Sequence, residues 1–100
     1  VTDHAAGFRQ FHLDNPHVYA LLVKLARQGV KAGRSKLGIG MLFEVVRWHY
    51  TVNPITTTGT DFKLNNNHRA YYARLIMELE DDLADIFELR DSPNHRSQQP

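Results

Sequence analysis

Apolar residues recur at helical spacing in three stretches of this chain, and that periodicity constrains the fold more than any other feature. Val18, Leu21, Leu22 and Leu25 repeat this way between His17 and Lys31. Leu37, Met41, Val45 and Trp48 form a second row, with Leu42, Val46 and His49 beside it. So many apolar positions predict a second helix nearly encircled by core, with Trp48 inside. Tyr72, Leu75, Ile76 and Leu79 give the third stretch its i, i+3, i+4, i+7 pattern.

Punctuation between the rows fixes approximate limits. Asp14 or Asn15 is placed to cap the first helix, and Pro16 suits its first position because proline lacks the N–H left unpaired there. Gly29 weakens its last turn and Gly33 stops it. Ser35 is placed to cap the second helix, and Asn53-Pro54 ends it. Asn65 to Asn67 cap the third. The expectation is a mainly α domain over residues 1–90. It has three principal helices, from about Pro16 to Gly33, Leu37 to Val52 and Asn66 to Glu80. Short extended segments near Leu37, Phe62 and Phe87 make it compatible with a winged-helix-like arrangement. The leader up to Asn15 reads as a strand or irregular clamp through Phe8, Phe11 and Leu13. The Thr-rich stretch 55–60 reads as a loop or loose hairpin. Residues 80–87 read as a further short helix or turn, or a final strand at Phe87. Residues 91–100 read as a disordered polar tail.

The charges are segregated. The net charge is only +1, yet seven of the eleven acids lie between Glu78 and Asp91. From Asn15 to Phe43 there is no acid, while Lys24, Arg27, Lys31, Arg34 and Lys36 are all basic. Such a set can form a phosphate-contacting stripe, because a duplex backbone rewards clustered cations. The alternative is a solvated helix face with cations favoured near the helix C-terminus. The acidic stretch reads as a solvated helix end or an ion-pairing partner for the basic helix. There is no cysteine, which removes disulfides and thiolate chemistry. No apolar run reaches the roughly 20 residues that span a bilayer, and no signal-peptide core is seen, so the expectation is an intracellular protein without a membrane partner.

Three blocks carry a resemblance: Asn15-Pro-His-Val-Tyr-Ala-Leu-Leu-Val-Lys-Leu-Ala-Arg-Gln-Gly29, Leu37-Gly-Ile-Gly-Met-Leu-Phe-Glu-Val-Val-Arg-Trp-His49, and Phe62-Lys-Leu-Asn-Asn-Asn-His-Arg-Ala-Tyr-Tyr-Ala-Arg-Leu-Ile-Met77. Together, from about Phe11 to Arg90, they resemble a group of small uncharacterised bacteriophage and prophage proteins. The resemblance implies a phage setting in a bacterial host's cytoplasm. It implies no activity and carries over no functional residue.

The Asn-rich block holds the sharpest functional candidates. Asn66, Asn67, His68, Arg69 and Arg74 start a helix that can act as a recognition helix, with Asn suited to adenine and Arg to guanine. Plain capping is the competing explanation, with one Asn capping, one in a left-handed turn and one solvated. Catalysis finds no footing. No nucleophile, base and orienting group can be named together. The histidines lack the i, i+4 spacing of a helical metal site, and no cofactor is implied. The expected function is therefore a small non-enzymatic nucleic-acid-binding protein, helix-turn-helix-like and with DNA as its partner. The alternative is a protein–protein module, either a virion-assembly component or an inhibitor of a host factor, in which the basic and acidic halves also suit self-association. The DNA reading requires Lys24, Arg27 and Arg69 on one exposed face and Glu80, Asp82 and Asp85 on another.

Overall fold

Asn15 is the whole connection between the first two helices. In the computed structural model, which describes residues 4–53 and 64–88, α1 runs over His4–Asp14 and α2 over Pro16–Lys31. The leader is thus a helix, not a strand. Phe8, Phe11 and His12 lie at i, i+3 and i+4 and turn one face of α1 onto the core, while Leu13 stays 74% exposed. Phe8 and Phe11 clamp onto the core as expected, whereas Leu13 does not. Asn15 also behaves differently from expectation. Its side chain makes no cap bond to α2; the Asn15 backbone N–H and Nδ2 both donate to the Phe11 carbonyl, at 2.8 and 3.1 Å, closing the end of α1. Pro16 then opens α2 as expected.

Helix α2 buries Val18, Leu22, Val23 and Ala26, with Leu21 and Leu25 packed at the edge. It ends where Gly33 takes φ 97°, a conformation that L side chains rarely adopt, and the Arg34 N–H donates back to the Gly29 carbonyl at 3.0 Å. Gly29 serves packing rather than merely weakening the turn. A Cβ there would lie 2.8 Å from Leu37 Cδ1, so the missing side chain is the seat of buried Leu37.

Helix α3 spans Ile39–Val52 and starts from Gly38; Ser35 is not its cap and Leu37 lies before it. Leu37 instead pairs with Phe87 in a parallel bridge, its N–H donating to the Ile86 carbonyl at 2.9 Å. The extended pieces expected near those two residues therefore meet. The Thr-rich stretch, Phe62 and the tail lie outside the described residues. A one-turn 3-10 helix, Asn66–His68, leads into α4, Arg69–Leu79, and a second such turn covers Asp81–Leu83.

The described fold is mainly helical, with four α-helices and no strand longer than a bridge. Helix α4 packs on both α2 and α3. Its Tyr72, Ala73 and Ile76 meet Leu22 and Val18 of α2, Phe43 and Val46 of α3, and Leu83 in one fully buried cluster. No described helix is long and apolar enough to cross a membrane.

Candidate interaction surface

Helix α3 has two apolar faces, and the described elements bury only one. Leu42, Phe43 and Val46 point into the core. Met41, Val45, Trp48 and Val52, spaced by four, three and four residues, lie on the other side at 56%, 41%, 65% and 50% exposure. The expectation of a helix nearly encircled by core, with Trp48 inside it, is corrected here. Among the described residues no element covers this side, because α2 and α4 both approach α3 from the side of Phe43. Glu44 and Thr51 flank the stripe on one edge and His49 on the other, all exposed. Four large apolar side chains in a row expose roughly 400 Å² of contiguous surface, within the range of patches that commonly serve binding in monomers.

Helix α3 is fastened to the start of α4 by Arg47, which sequence reasoning passed over. Its Nη2 donates to the Leu64 carbonyl at 3.0 Å and to Asn66 Oδ1 at 2.9 Å, while Nη1 pairs with Glu44. No local sequence signal announces this; the partners are up to 19 residues away. Arg47→Ala is expected to cost about 1 kcal/mol, through loss of these bonds and a carbonyl left poorly satisfied. Chemical denaturation measures it.

The Asn cluster divides as follows. Asn65 Oδ1 accepts from the Asn67 N–H at 2.8 Å and caps the turn. Asn66 is held by Arg47, so a second Asn has a structural duty of its own. No described non-glycine residue takes positive φ, so the left-handed role does not arise. Asn67 is exposed. His68 is not on the surface at all: it is 6% exposed and packs against Phe8 and Phe11, with ring centroids 5.7 and 5.4 Å away. Arg69 is exposed, its Nε donating to the Asn66 carbonyl at 3.2 Å. Arg74 is exposed and lies 5.9 Å over the Tyr71 ring. A groove of about 590 Å³ runs between residues 38–41 on one wall and Asn66, Asn67, Arg69 and Ala70 on the other, with Glu88 at its edge. Gly40 leaves room there, since a Cβ would come within 3.2 Å of Arg69 Nη1.

The charge separation expected for a DNA-facing surface is absent. Arg27 donates from Nε to Asp82 at 2.9 Å and from Nη2 to Glu80 at 2.8 Å and Asp82 at 3.0 Å. Tyr19 Oη donates to the other Glu80 oxygen at 2.8 Å. Hydrogen bonding to Arg27 holds the Asp82 carboxyl below the usual range, and burial followed by the Glu80 bond pushes the Tyr19 phenol up. Lys36 Nζ donates to the Asp85 carbonyl oxygen at 2.8 Å. Glu80 and Asp82 thus sit against the basic helix of the same chain. Arg27 lies at the Glu80 end of α4 and Arg69 at the other, about 16 Å apart at 1.5 Å per residue. Lys24, Lys31 and Arg34 remain exposed without a partner among the described residues. Among those residues no group of three or more His, Asp or Glu side chains is placed to hold a metal ion.

No family model, no curated protein and no solved structure matches this chain. The surface must be read from its own geometry.

Proposed function

We propose that this chain is a protein–protein interaction module that docks a partner on the outer face of α3. The observation that carries this reading is Trp48, 65% exposed at the centre of an apolar stripe whose helix already has a complete core face. Tryptophan concentrates binding energy at interfaces because a large rigid surface is desolvated at little entropic cost. Stripes at this spacing are met by apolar residues of another helix. The phage setting implied by the resemblance, with virion assembly or inhibition of a host factor as the task, fits this class of function.

Selection of displayed amphipathic helical peptides on the immobilised chain tests the reading. Enriched peptides should lose more than tenfold in affinity for Trp48→Asp, which corresponds to at least about 1.4 kcal/mol. Because Trp48 is outside the core, that variant keeps the helical signal in circular dichroism. Absence of enrichment, or equal retention by Trp48→Asp, would sink the proposal.

Nucleic-acid binding is the second reading, favoured by one observation: exposed Arg69 and Asn67 line a groove between the starts of α3 and α4. On this reading a winged-helix-like arrangement presents Arg69, Asn67 and Arg74, with Lys24, Lys31 and Arg34 as further phosphate contacts. Arg69→Ala should then weaken duplex binding by about 1–3 kcal/mol if it reads a base. No duplex or single-strand binding at low salt removes this reading.

A further inference from the structure

The partner is the open question, and the side chains of the stripe bear on it. Met41, Val45, Trp48 and Val52 follow a four-three-four spacing that reads identically in both directions along α3. Any seam of this kind shares that property; the sizes are what discriminate. When two copies of α3 run antiparallel about a two-fold axis between Val45 and Trp48, each Trp48 lands on Val45 of the second copy. Each Met41 likewise lands on Val52. Every bulky, flexible or aromatic residue meets a small β-branched one. A parallel pair would set Trp48 on Trp48 and leave a gap at Val45 on Val45. The flanks agree: the antiparallel arrangement places Glu44 of one copy beside Thr51 of the other, so no like charges face each other.

Part of the charge that could drive association is already used within the chain. Arg27 pairs with Glu80 and Asp82, and Lys36 donates to the Asp85 carbonyl, so the head-to-tail attraction of a basic half for an acidic one is weakened. The α3 stripe is apolar, self-complementary and uncovered among the described residues, which suits an isologous two-fold contact.

We propose that the occupant of the α3 stripe is a second copy of this chain, forming an antiparallel two-fold dimer with Trp48 packed on Val45 across the axis. The proposal rests on the reading of this face as an interface and names its partner. Each copy contributes roughly 400 Å² of stripe, about half of the roughly 800 Å² per partner of a standard stable interface, so the dimer is small and forms in a concentration-dependent way. Its formation is nearly independent of salt, unlike an ionic association.

Two properties of the chain make the test clean. Trp48 is its one tryptophan, so indole emission reports this face alone, and the absence of cysteine allows single-cysteine probes without background. Raising the concentration of the full chain should increase its sedimentation-derived mass and shift Trp48 emission to shorter wavelength. Val45→Asp should hold the chain monomeric with its helical signal intact. Met41→Cys and Val52→Cys chains, mixed in equal amounts and oxidised, should give mainly the disulfide between the two different variants. Both probes leave the Trp48–Val45 centre untouched. Disulfides mainly between identical variants, a statistical mixture, or a chain that stays monomeric at high concentration would each overturn the proposal. If the chain is monomeric yet selected peptides still depend on Trp48, the interface stands and only the second-copy assignment falls. If neither behaviour is found, the interface itself is lost.

Discussion

Tyr72→Ala lowers the stability of this domain by about 3–5 kcal/mol, while Tyr72→Phe raises it by about 1 kcal/mol. Tyr72 is the largest fully buried side chain and joins three helices. From α4 its ring stands edge-on to Phe8 of α1 at 4.7 Å and His12 at 5.8 Å, and it reaches Phe43 of α3 at 6.0 Å. Truncation to alanine empties the junction at once, and α1, which depends on it, cannot collapse inward without leaving α2. A loss of that size is a large fraction of the roughly 5–15 kcal/mol by which domains are stable. The phenylalanine variant separates ring from hydroxyl. The Tyr72 Oη is buried without a hydrogen-bond partner among the described residues, and burial pushes its pKa up. A buried unsatisfied hydroxyl costs about 1–3 kcal/mol, which phenylalanine avoids while preserving the packing. Urea titrations of the three proteins decide the matter. A destabilised Tyr72→Phe would mean that the hydroxyl is bonded and that this account of the core is wrong.

The sequence shows its helices where one periodic face dominates and misleads where two do. Helices α2 and α4 were legible because Val18, Leu22, Tyr72 and Ile76 lie on single stripes with Gly33 and Asn65 at their ends. Helix α3 was located correctly but oriented wrongly. With Met41, Leu42, Phe43, Val45, Val46, Trp48 and Val52 all apolar, the period fits more than one core face and predicts a helix surrounded by core. The described helices cover only one side of α3, so part of this apolar surface is left over. That excess was the available signal for an interface. Helix α1 was missed because Phe11 and Leu13 alternate like a strand, and because His12, counted as polar, in fact packs as an aromatic ring against Phe8.

The candidate surfaces were less legible than the helices, for a reason of range. The fate of the basic stripe depends on Glu80 and Asp82, 53 and 55 residues from Arg27. The sequence shows that opposite charges are segregated, and pairing within the chain is one explanation of it. Only the packing of α4 on α2 selects it. The same applies to Asn66, whose apparent excess over capping is accounted for by Arg47 on another helix.

Acid loosens this fold through His68. The imidazole is 6% exposed and is covered by α1, with Phe8 and Phe11 against its ring. Its Nδ1 has no hydrogen-bond partner among the described residues. His4 on α1 acts on it electrostatically, and the Phe8 ring that packs against it is itself in contact with His12 of α1 and Tyr71 and Tyr72 of α4. None of these supplies a negative charge at neutral pH. Burial, and then the neighbouring His4, lower the His68 pKa from its ordinary 6.5. The unfolded chain therefore binds this proton more readily than the folded one. The stabilising contribution is complete above about pH 6.5 and is lost as pH falls through 6.5 toward the folded-state pKa. His17, lowered by burial, adds in the same direction. Protonation places an uncompensated charge beneath α1, so α1 is the element that should loosen first. The thermal midpoint is expected to fall between about pH 7.5 and about pH 5, with hydrogen exchange rising earliest in α1. His68→Leu keeps an apolar group in the site and removes the proton; it should flatten the pH dependence, leaving the part due to His17. An unchanged slope in that variant would show that the acid response has another origin, and that the His68 site accommodates its charge.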